Sequence, residues 1–316
     1  VLSMGALLLA GTLSAQTPVP EWQAGVDKMK SLIQTNPAQA SEEVGELLKG
    51  KNKKNVDLVT SVAHVYLDAG KLTEAQEYLA MAKKADNKDP KVSVLEGDIA
   101  LAQKNIGQAC QLYEQAIYFD PNCKEAYLKY AQAYKSASPA LAIEKLEQLK
   151  AVDPNCLEAD RELAEVYYSS NRFGKAAEMY AKFIDTPLAT EDDMLKYAFA
   201  LFLNHDFEKS LQVAQKGLQK NARHAAFNRL VMYNNTDLKR YEDAEKAAHA
   251  FFNASDRADY SYLDYRYYGA LLSALKKYDE AIIEYGKALE KDGTQVDLWR
   301  EISDAHEMNN LSLIHI

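Results

Sequence analysis

Small side chains recur along this chain at almost constant intervals, and this regularity limits what the chain can fold into. Successive small residues lie 34, 33, 34, 34, 34 and 37 residues apart. These small-residue positions are Ala75, Ala109, Ala142, Ala176, Ser210, Ala244 and Ala281. A single globular core has no reason to repeat a small residue in this way, whereas stacked helical hairpins need one wherever two helices cross closely. The interval therefore predicts repeated pairs of short helices.

The hairpin pattern is most complete around Ala281. Apolar side chains fall three, four or seven residues apart on each side of a turn at residues 276–279, so each set lies on one helix face. The first set is Tyr265, Tyr268, Gly269 and Leu272, and the second is Ala281, Tyr285 and Ala288. At Ser210 we expect the hydroxyl to bond back to a carbonyl of its own helix.

The pattern resembles the tetratricopeptide repeat family over residues 56–310. One matching repeat contains Leu163-Ala164, Tyr167, Ala176, Tyr180 and Pro187. The resemblance implies an all-α solenoid of stacked antiparallel helical hairpins that form a right-handed superhelix. It also implies that the first helix of each hairpin lines a concave groove, which holds a protein or peptide partner. The Asp-Pro pairs at positions 89, 120 and 153 are predicted to end helices, because proline cannot continue one.

The repeat divides the chain into segments. Residues 20–55 are predicted to form a divergent capping repeat, because subtracting 34 from 75 gives Ser41, which follows Ala40. Residues 56–295 hold seven repeats, and residues 296–310 begin an eighth. Residues 311–316 match no repeat position and are interpreted as a foreign tail.

The first fifteen residues are apolar and small, which is typical of the end of a secretory signal peptide. The charged start is missing, so we interpret this segment as a truncated leader, with Gln16 as the first mature residue. Gln16 also stands where a lipoprotein signal needs cysteine. We therefore expect an exported bacterial protein of the periplasm or cell envelope.

Composition argues against several classes of function. The net charge of −9 disfavours a nucleic-acid partner, and no segment of the mature chain has the length of apolar sequence needed to span a bilayer. The six histidines are scattered, and residues 45–52 lack the hydroxyl that a phosphate-binding loop requires. We expect no cofactor, no metal, no enzymatic activity and no disulfide among Cys110, Cys123 and Cys156. The oligomeric state stays open.

The groove supplies the candidate functional residues. In the middle repeats it is predicted to be largely acidic, with Asp98, Lys129, Glu158, Arg161, Glu162 and Glu165. The predicted partner-binding residues of the later repeats are Leu195, Lys196, Phe199, Phe202, Arg229, Met232, Arg266 and Tyr267. Aromatic and arginine side chains are enriched among residues that dominate binding energy. The carboxylate clamp of chaperone-binding family members is not reproduced, because Thr60 and His64, or Leu195 and Phe199, stand at its first positions.

Five tyrosines between residues 260 and 268 have two interpretations. Tyr265 and Tyr268 fall at packing positions, and only Tyr267 is assigned to the groove. Tyr260 and Tyr262 lie in the longer connection and either pack over the joint, which we favour, or form a contact loop. The predicted function is a non-enzymatic scaffold that binds a protein segment in its groove. The alternative is a structural module of a longer envelope protein or enzyme whose active part lies beyond residue 316.

Overall fold

A computed structural model describes residues 19–254 and 259–314, and the regular secondary structure in those ranges is entirely helical. The predicted leader, residues 1–15, lies outside the described residues, as do residues 315 and 316 of the predicted foreign tail. None of the helices in the described ranges combines the length and the apolar composition that crossing a bilayer requires.

The chain divides into two compact units, with the boundary between Tyr130 and Ala131. The helices of the first unit are α1 (Gln23–Leu32), α2 (Pro37–Leu47), α3 (Val56–Asp68), α4 (Leu72–Ala85), α5 (Pro90–Ala102) and α6 (Ile106–Phe119). A short 3-10 helix, Gly50–Lys54, follows α2, and the unit boundary falls within α7 (Lys124–Tyr134).

The second unit continues with ten helices in its described residues. They are α8 (Pro139–Val152), α9 (Leu157–Ser169), α10 (Phe173–Phe183), α11 (Glu191–Leu203), α12 (Phe207–Lys220), α13 (Ala225–Asp237), α14 (Tyr241–His249), α15 (Tyr262–Ala274), α16 (Tyr278–Lys291) and α17 (Val296–Ile314). A π-helical segment, Ala250–Ala254, extends α14.

Helices pack in consecutive pairs within each unit, which confirms the predicted hairpins. In the first unit α3 packs on α4 and α5 on α6, and in the second unit α9 packs on α10, α11 on α12, α13 on α14 and α15 on α16. The first helices of successive hairpins also touch one another, as α11 touches α13 and α13 touches α15. The hairpins are therefore stacked, and their first helices line up side by side.

The small-residue positions lie in the core of the hairpins. All seven, from Ala75 to Ala281, are completely buried. Two of these positions have a glycine twelve residues earlier: Gly97 precedes Ala109, and Gly269 precedes Ala281. The ring of Tyr113 packs against Gly97, and the ring of Tyr285 packs against Gly269. A Cβ on Gly269 would lie 2.7 Å from the Tyr285 ring, so glycine is required for this contact.

Three local expectations are corrected. Ser210 does not bond to its own helix: its hydroxyl donates to the carbonyl of Ala198 on α11 at 2.8 Å. Near the first hairpin, Ala40 is buried and Ser41 is exposed, so the small-residue position falls at Ala40. Asp89 begins α5 rather than ending a helix, because its side chain accepts the Lys91 N–H and Pro90 occupies the first turn.

The turns inside six hairpins share one backbone geometry. A single residue adopts the left-handed conformation, with φ between 57° and 74°. These residues are Gly70, Lys104, Asn171, His205, Lys239 and Lys276. The next amide donates to a carbonyl five residues back, as Lys277 does to Leu272 at 2.9 Å. This arrangement ends the first helix and starts the second two residues later.

Candidate functional site

The candidate site lies on the second unit, where the first helices α11, α13 and α15 stand side by side. One aromatic side chain from each helix joins a continuous cluster: Phe202, Tyr233 and Tyr267. The rings of Tyr233 and Tyr267 are stacked with centroids 4.0 Å apart, and Phe202 lies 5.5 Å from Tyr233 and 6.1 Å from Tyr267. The cluster joins three hairpins through ring contacts.

Both tyrosine hydroxyls donate to carboxylates on the opposite helix. Tyr233 of α13 donates to Oδ1 of Asp264 on α15 at 2.7 Å. Tyr267 of α15 donates to Oδ2 of Asp237 on α13 at 2.8 Å. Burial of each phenol, together with its carboxylate neighbour, raises the pKa of both tyrosines. Both tyrosines therefore remain protonated donors over the physiological pH range.

Asp264 is the centre of a buried polar network. Its carboxylate is fully buried and accepts from Arg229 Nε at 2.6 Å and from Arg229 Nη2 at 3.1 Å. The same carboxylate closes a capping box with Ser261 at the start of α15. Arg229 also donates to the carbonyl of Asp259 at 2.9 Å and lies over the ring of Phe251. The guanidinium is therefore committed to the fold.

Arg266 forms a second, more exposed ion pair. Its Nε and Nη2 donate to Oε1 of Glu301 on α17 at 3.0 and 2.7 Å. Both side chains keep about a third of their surface in solvent. A guanidinium held by a carboxylate in this way has a fixed position while part of it remains accessible.

A cavity of about 300 Å³ opens beside this ion pair, between α13, α15 and α17. Its walls are Thr236, Asp237, Leu263, Arg266, Tyr267, Ala270 and Glu301. Burial raises the pKa of the Asp237 carboxyl, and this effect outweighs the opposing hydrogen bond from Tyr267 and the nearby charge of His205. The cavity combines apolar walls with two carboxylates and one guanidinium, a combination that suits recognition of a polar side chain with an apolar stem.

Comparison with known proteins bears on the family. A family model described as Tetratricopeptide repeat matches residues 62–122 and 131–188. These two segments of the chain are therefore tetratricopeptide repeats. No curated protein sequence matches it.

Solved structures share the repeat protein's fold at low sequence identity. PilF of Pseudomonas aeruginosa is 15% identical, over 66% of this chain and 96% of that one, with a TM-score of 0.51. PilW, a type IV pilus biogenesis factor, is 17% identical over 63% and 92%, with a TM-score of 0.50. A tetratricopeptide repeat protein from Parabacteroides merdae is 14% identical over 79% and 98%, with a TM-score of 0.47. The likenesses to PilF and PilW establish the fold alone.

Two predicted groove residues of the repeat protein are core residues. Met232 is fully buried, because it occupies the position twelve residues before Ala244 where other repeats carry Gly97, Ala164, Ala198 and Gly269. The adjoining helix compensates for this larger side chain: it has Ala248 where Tyr113, Tyr180 and Tyr285 stand in other repeats. Phe202 is only 8% exposed and serves the aromatic cluster. Neither residue offers a partner much surface.

The other predicted residues remain at or near the surface. Leu195 and Phe199 are half-buried on α11 and pack against the core of the second unit. Lys196 bridges Asp192 at 2.7 Å and Glu165 at 2.9 Å. Arg266 and Tyr267 line the cavity. Arg229, which was predicted to be a groove cation, is instead neutralised by Asp264.

Two of the predicted acidic residues of the middle repeats, Asp98 and Glu165, are matched by cations within their own units. In the first unit Asp98 accepts from His64 and pairs with Lys129, each at 2.9 Å, and accepts from Tyr113 at 2.8 Å. In the second unit Glu165 pairs with Lys135 at 3.0 Å and Lys196 at 2.9 Å, and accepts from Tyr180 at 2.8 Å. Burial would raise the pKa of both carboxyls, but these donors and cations lower it overall.

Tyr260 of the long connection packs as favoured, whereas Tyr262 is the first residue of α15 and packs against the cluster that contains Leu272 and Ala281. Tyr260 donates to the carbonyl of Phe252 at 3.1 Å, and its ring contacts Phe251, Phe252 and Tyr265. Packing within the fold therefore accounts for Tyr260 without the alternative of a loop that contacts a partner.

Sequence reasoning missed Tyr233, Asp237, Asp264 and Glu301. Two sequence features point to part of this set: Tyr233 and Tyr267 are one 34-residue interval apart, and Ser261 and Asp264 have capping-box spacing. The pairing of Arg229 with Asp264 has no such indication, because it joins residues 35 positions apart.

Proposed function

We propose that this tetratricopeptide repeat protein is an exported, non-catalytic scaffold that binds a segment of a partner protein on the surface of α11, α13 and α15. The binding residues are Leu195, Lys196, Phe199, Arg266 and Tyr267. The fold itself suggests a protein–protein interaction scaffold. The proposal of export depends on the leader-like residues 1–15.

The observation that carries the proposal is the cavity beside Tyr267. A half-buried tyrosine, an accessible guanidinium and apolar walls meet in this cavity. The ring of Tyr267 also lies 6.1 Å from that of Phe202 on α11, the helix that carries Leu195 and Phe199. Interfaces concentrate binding energy in tyrosine and arginine side chains surrounded by apolar contacts. Tyr267 is already fixed by its stacking on Tyr233, so binding would cost little side-chain entropy.

Affinity capture from the native envelope fraction tests the surface. Phe199→Glu is an informative variant, because it places a charge among the half-buried apolar side chains of α11. The matched control is Ile283→Glu on α16, where the native side chain is 58% exposed. We expect the partner to be lost with Phe199→Glu and kept with Ile283→Glu. Equal capture by both variants would reject this surface.

Export has a separate test. N-terminal sequencing of the protein purified from its native envelope should give Gln16 as the first residue. Recovery of the protein in the cytoplasm with residues 1–15 retained would refute export without affecting the binding surface.

A further inference from the structure

We propose that the cavity between α13, α15 and α17 is a subsite for a lysine or arginine side chain of the bound segment. This inference rests on the proposed binding function and specifies the chemistry of the partner. It is argued from the charges, the walls and the rigidity of the cavity.

The charge of the cavity favours a cation. Asp237 and Glu301 supply two carboxylates, and Arg266 supplies one guanidinium. Glu301 is already paired with Arg266. Within the part of the chain that the structure describes, Asp237 forms no ion pair, and its one hydrogen bond comes from the neutral hydroxyl of Tyr267. The cavity therefore keeps one uncompensated negative charge.

The pKa of the Asp237 carboxyl shifts in the direction expected for a carboxylate that has no cationic partner. Partial burial raises its pKa, whereas the carboxyls of Asp98 and Glu165, which have cationic partners, have lowered pKa values. His205 lies close enough to lower that pKa, but the effect of partial burial is larger. A lysine ammonium or an arginine guanidinium beside Asp237 would supply a cationic partner of the kind that Asp98 and Glu165 already have.

The walls suit the stem of a basic side chain. Leu263 and Ala270 provide apolar contact for the methylene groups of lysine or arginine, while the charged head reaches the rim at Asp237. The ring of Tyr267 adds a face over which a cation is attracted. A volume of about 300 Å³ is at the lower end of the range for ligand pockets and fits one side chain rather than a folded element.

Peptide binding to the full chain tests the subsite. The probes are three amidated, N-acetylated tripeptides, Leu-X-Leu, in which X is lysine, norleucine or glutamate. Norleucine keeps the stem of lysine and removes its charge. We expect the lysine peptide to bind at least tenfold more tightly than the norleucine peptide in calorimetric titration, and the glutamate peptide to bind most weakly.

Two variants link that preference to the cavity. Asp237→Asn should abolish the preference for lysine over norleucine while the melting temperature stays close to that of the wild type. Asp243→Asn, which removes an exposed carboxylate on α14, should retain the preference. Equal binding of the lysine and norleucine peptides by the wild type, an unchanged preference in Asp237→Asn, or no binding of any peptide would each overturn the subsite. The proposed function would survive these failures if Phe199→Glu still removed the captured partner.

Discussion

Tyr233 and Tyr267 stack on each other, and each donates its hydroxyl proton to a carboxylate on the other's helix. The two bonds differ in their surroundings. Tyr233 and its acceptor Asp264 are both buried, whereas Asp237, the acceptor of Tyr267, lies at the exposed rim of the cavity. The same contact therefore supports the fold at one end and the candidate binding surface at the other.

Removing each hydroxyl should separate these two roles. Tyr233→Phe takes a donor from a fully buried carboxylate and should lower the free energy of unfolding by about 1.5–3 kcal/mol. Tyr267→Phe should cost about 1 kcal/mol or less, because water can replace the hydroxyl at the rim. Urea denaturation of both variants measures the difference. Equal losses would contradict the asymmetry between the two bonds.

The two arginines of the candidate site should also differ. Arg229→Met leaves Asp264 without its cation in the core and should lower the free energy of unfolding by about 3–5 kcal/mol. Arg266→Met breaks a pair that is partly in solvent and should cost about 1 kcal/mol or less. Denaturant unfolding of both variants tests this order. The reverse order would show that Arg229 is not committed to the fold.

Two glycines in the last complete hairpin form a matched pair for the close-packing argument. At Gly269 an added methyl group would meet the ring of Tyr285, so Gly269→Ala should destabilise the protein by about 1–3 kcal/mol. Gly286 in α16 has no atom within 4 Å of such a methyl group. Gly286→Ala should therefore stabilise the protein by about 0.5–1 kcal/mol, because alanine loses less backbone entropy in a helix. Thermal melts should show midpoint shifts of opposite sign; shifts of the same sign would refute the packing argument.

Acid should weaken the network around Glu165. Its pKa lies below the ordinary value of 4.5, since its hydrogen bonds with Lys196, Tyr180 and Lys135 outweigh the effect of burial. A carboxyl with a lowered folded-state pKa stabilises the fold above pH 4.5, and this contribution is lost as the pH falls through the lower folded value. Wild type should melt above Glu165→Gln at pH 6, and the difference should shrink towards pH 3. A difference that stays constant over this range would contradict the assignment.

The periodic part of the fold could be predicted from the sequence, because each small-residue position obeys the same steric limit. All seven positions are buried as that limit requires. The predictions were wrong where a change of side-chain size on one helix was offset by a change on the adjoining helix. Met232 is bulky at a position that is usually small, and only the buried Ala248 on the adjoining helix reveals that it belongs to the core.

The polar part of the candidate site could be predicted less well. Arg266 and Tyr267 were assigned to the groove from their helix register, and both line the cavity. Whether Arg229 is neutralised within the fold or faces a partner depends on a carboxylate within hydrogen-bonding distance. That carboxylate belongs to Asp264, which follows a connection of irregular length. Ala244 and Ala281 are 37 residues apart rather than 34, so the pairing of Arg229 with Asp264 cannot be obtained by adding 34.

Site-specific photo-crosslinking in the native cell is the most direct measurement of the central claim. A photoreactive amino acid would replace Phe199 on α11 or Ala270 in the cavity wall, with exposed Ile283 on α16 as the control position. We predict that positions 199 and 270 crosslink to the same partner protein and that position 283 does not. Crosslinking of that partner at position 283 alone would place the interface on the second helices and contradict the account.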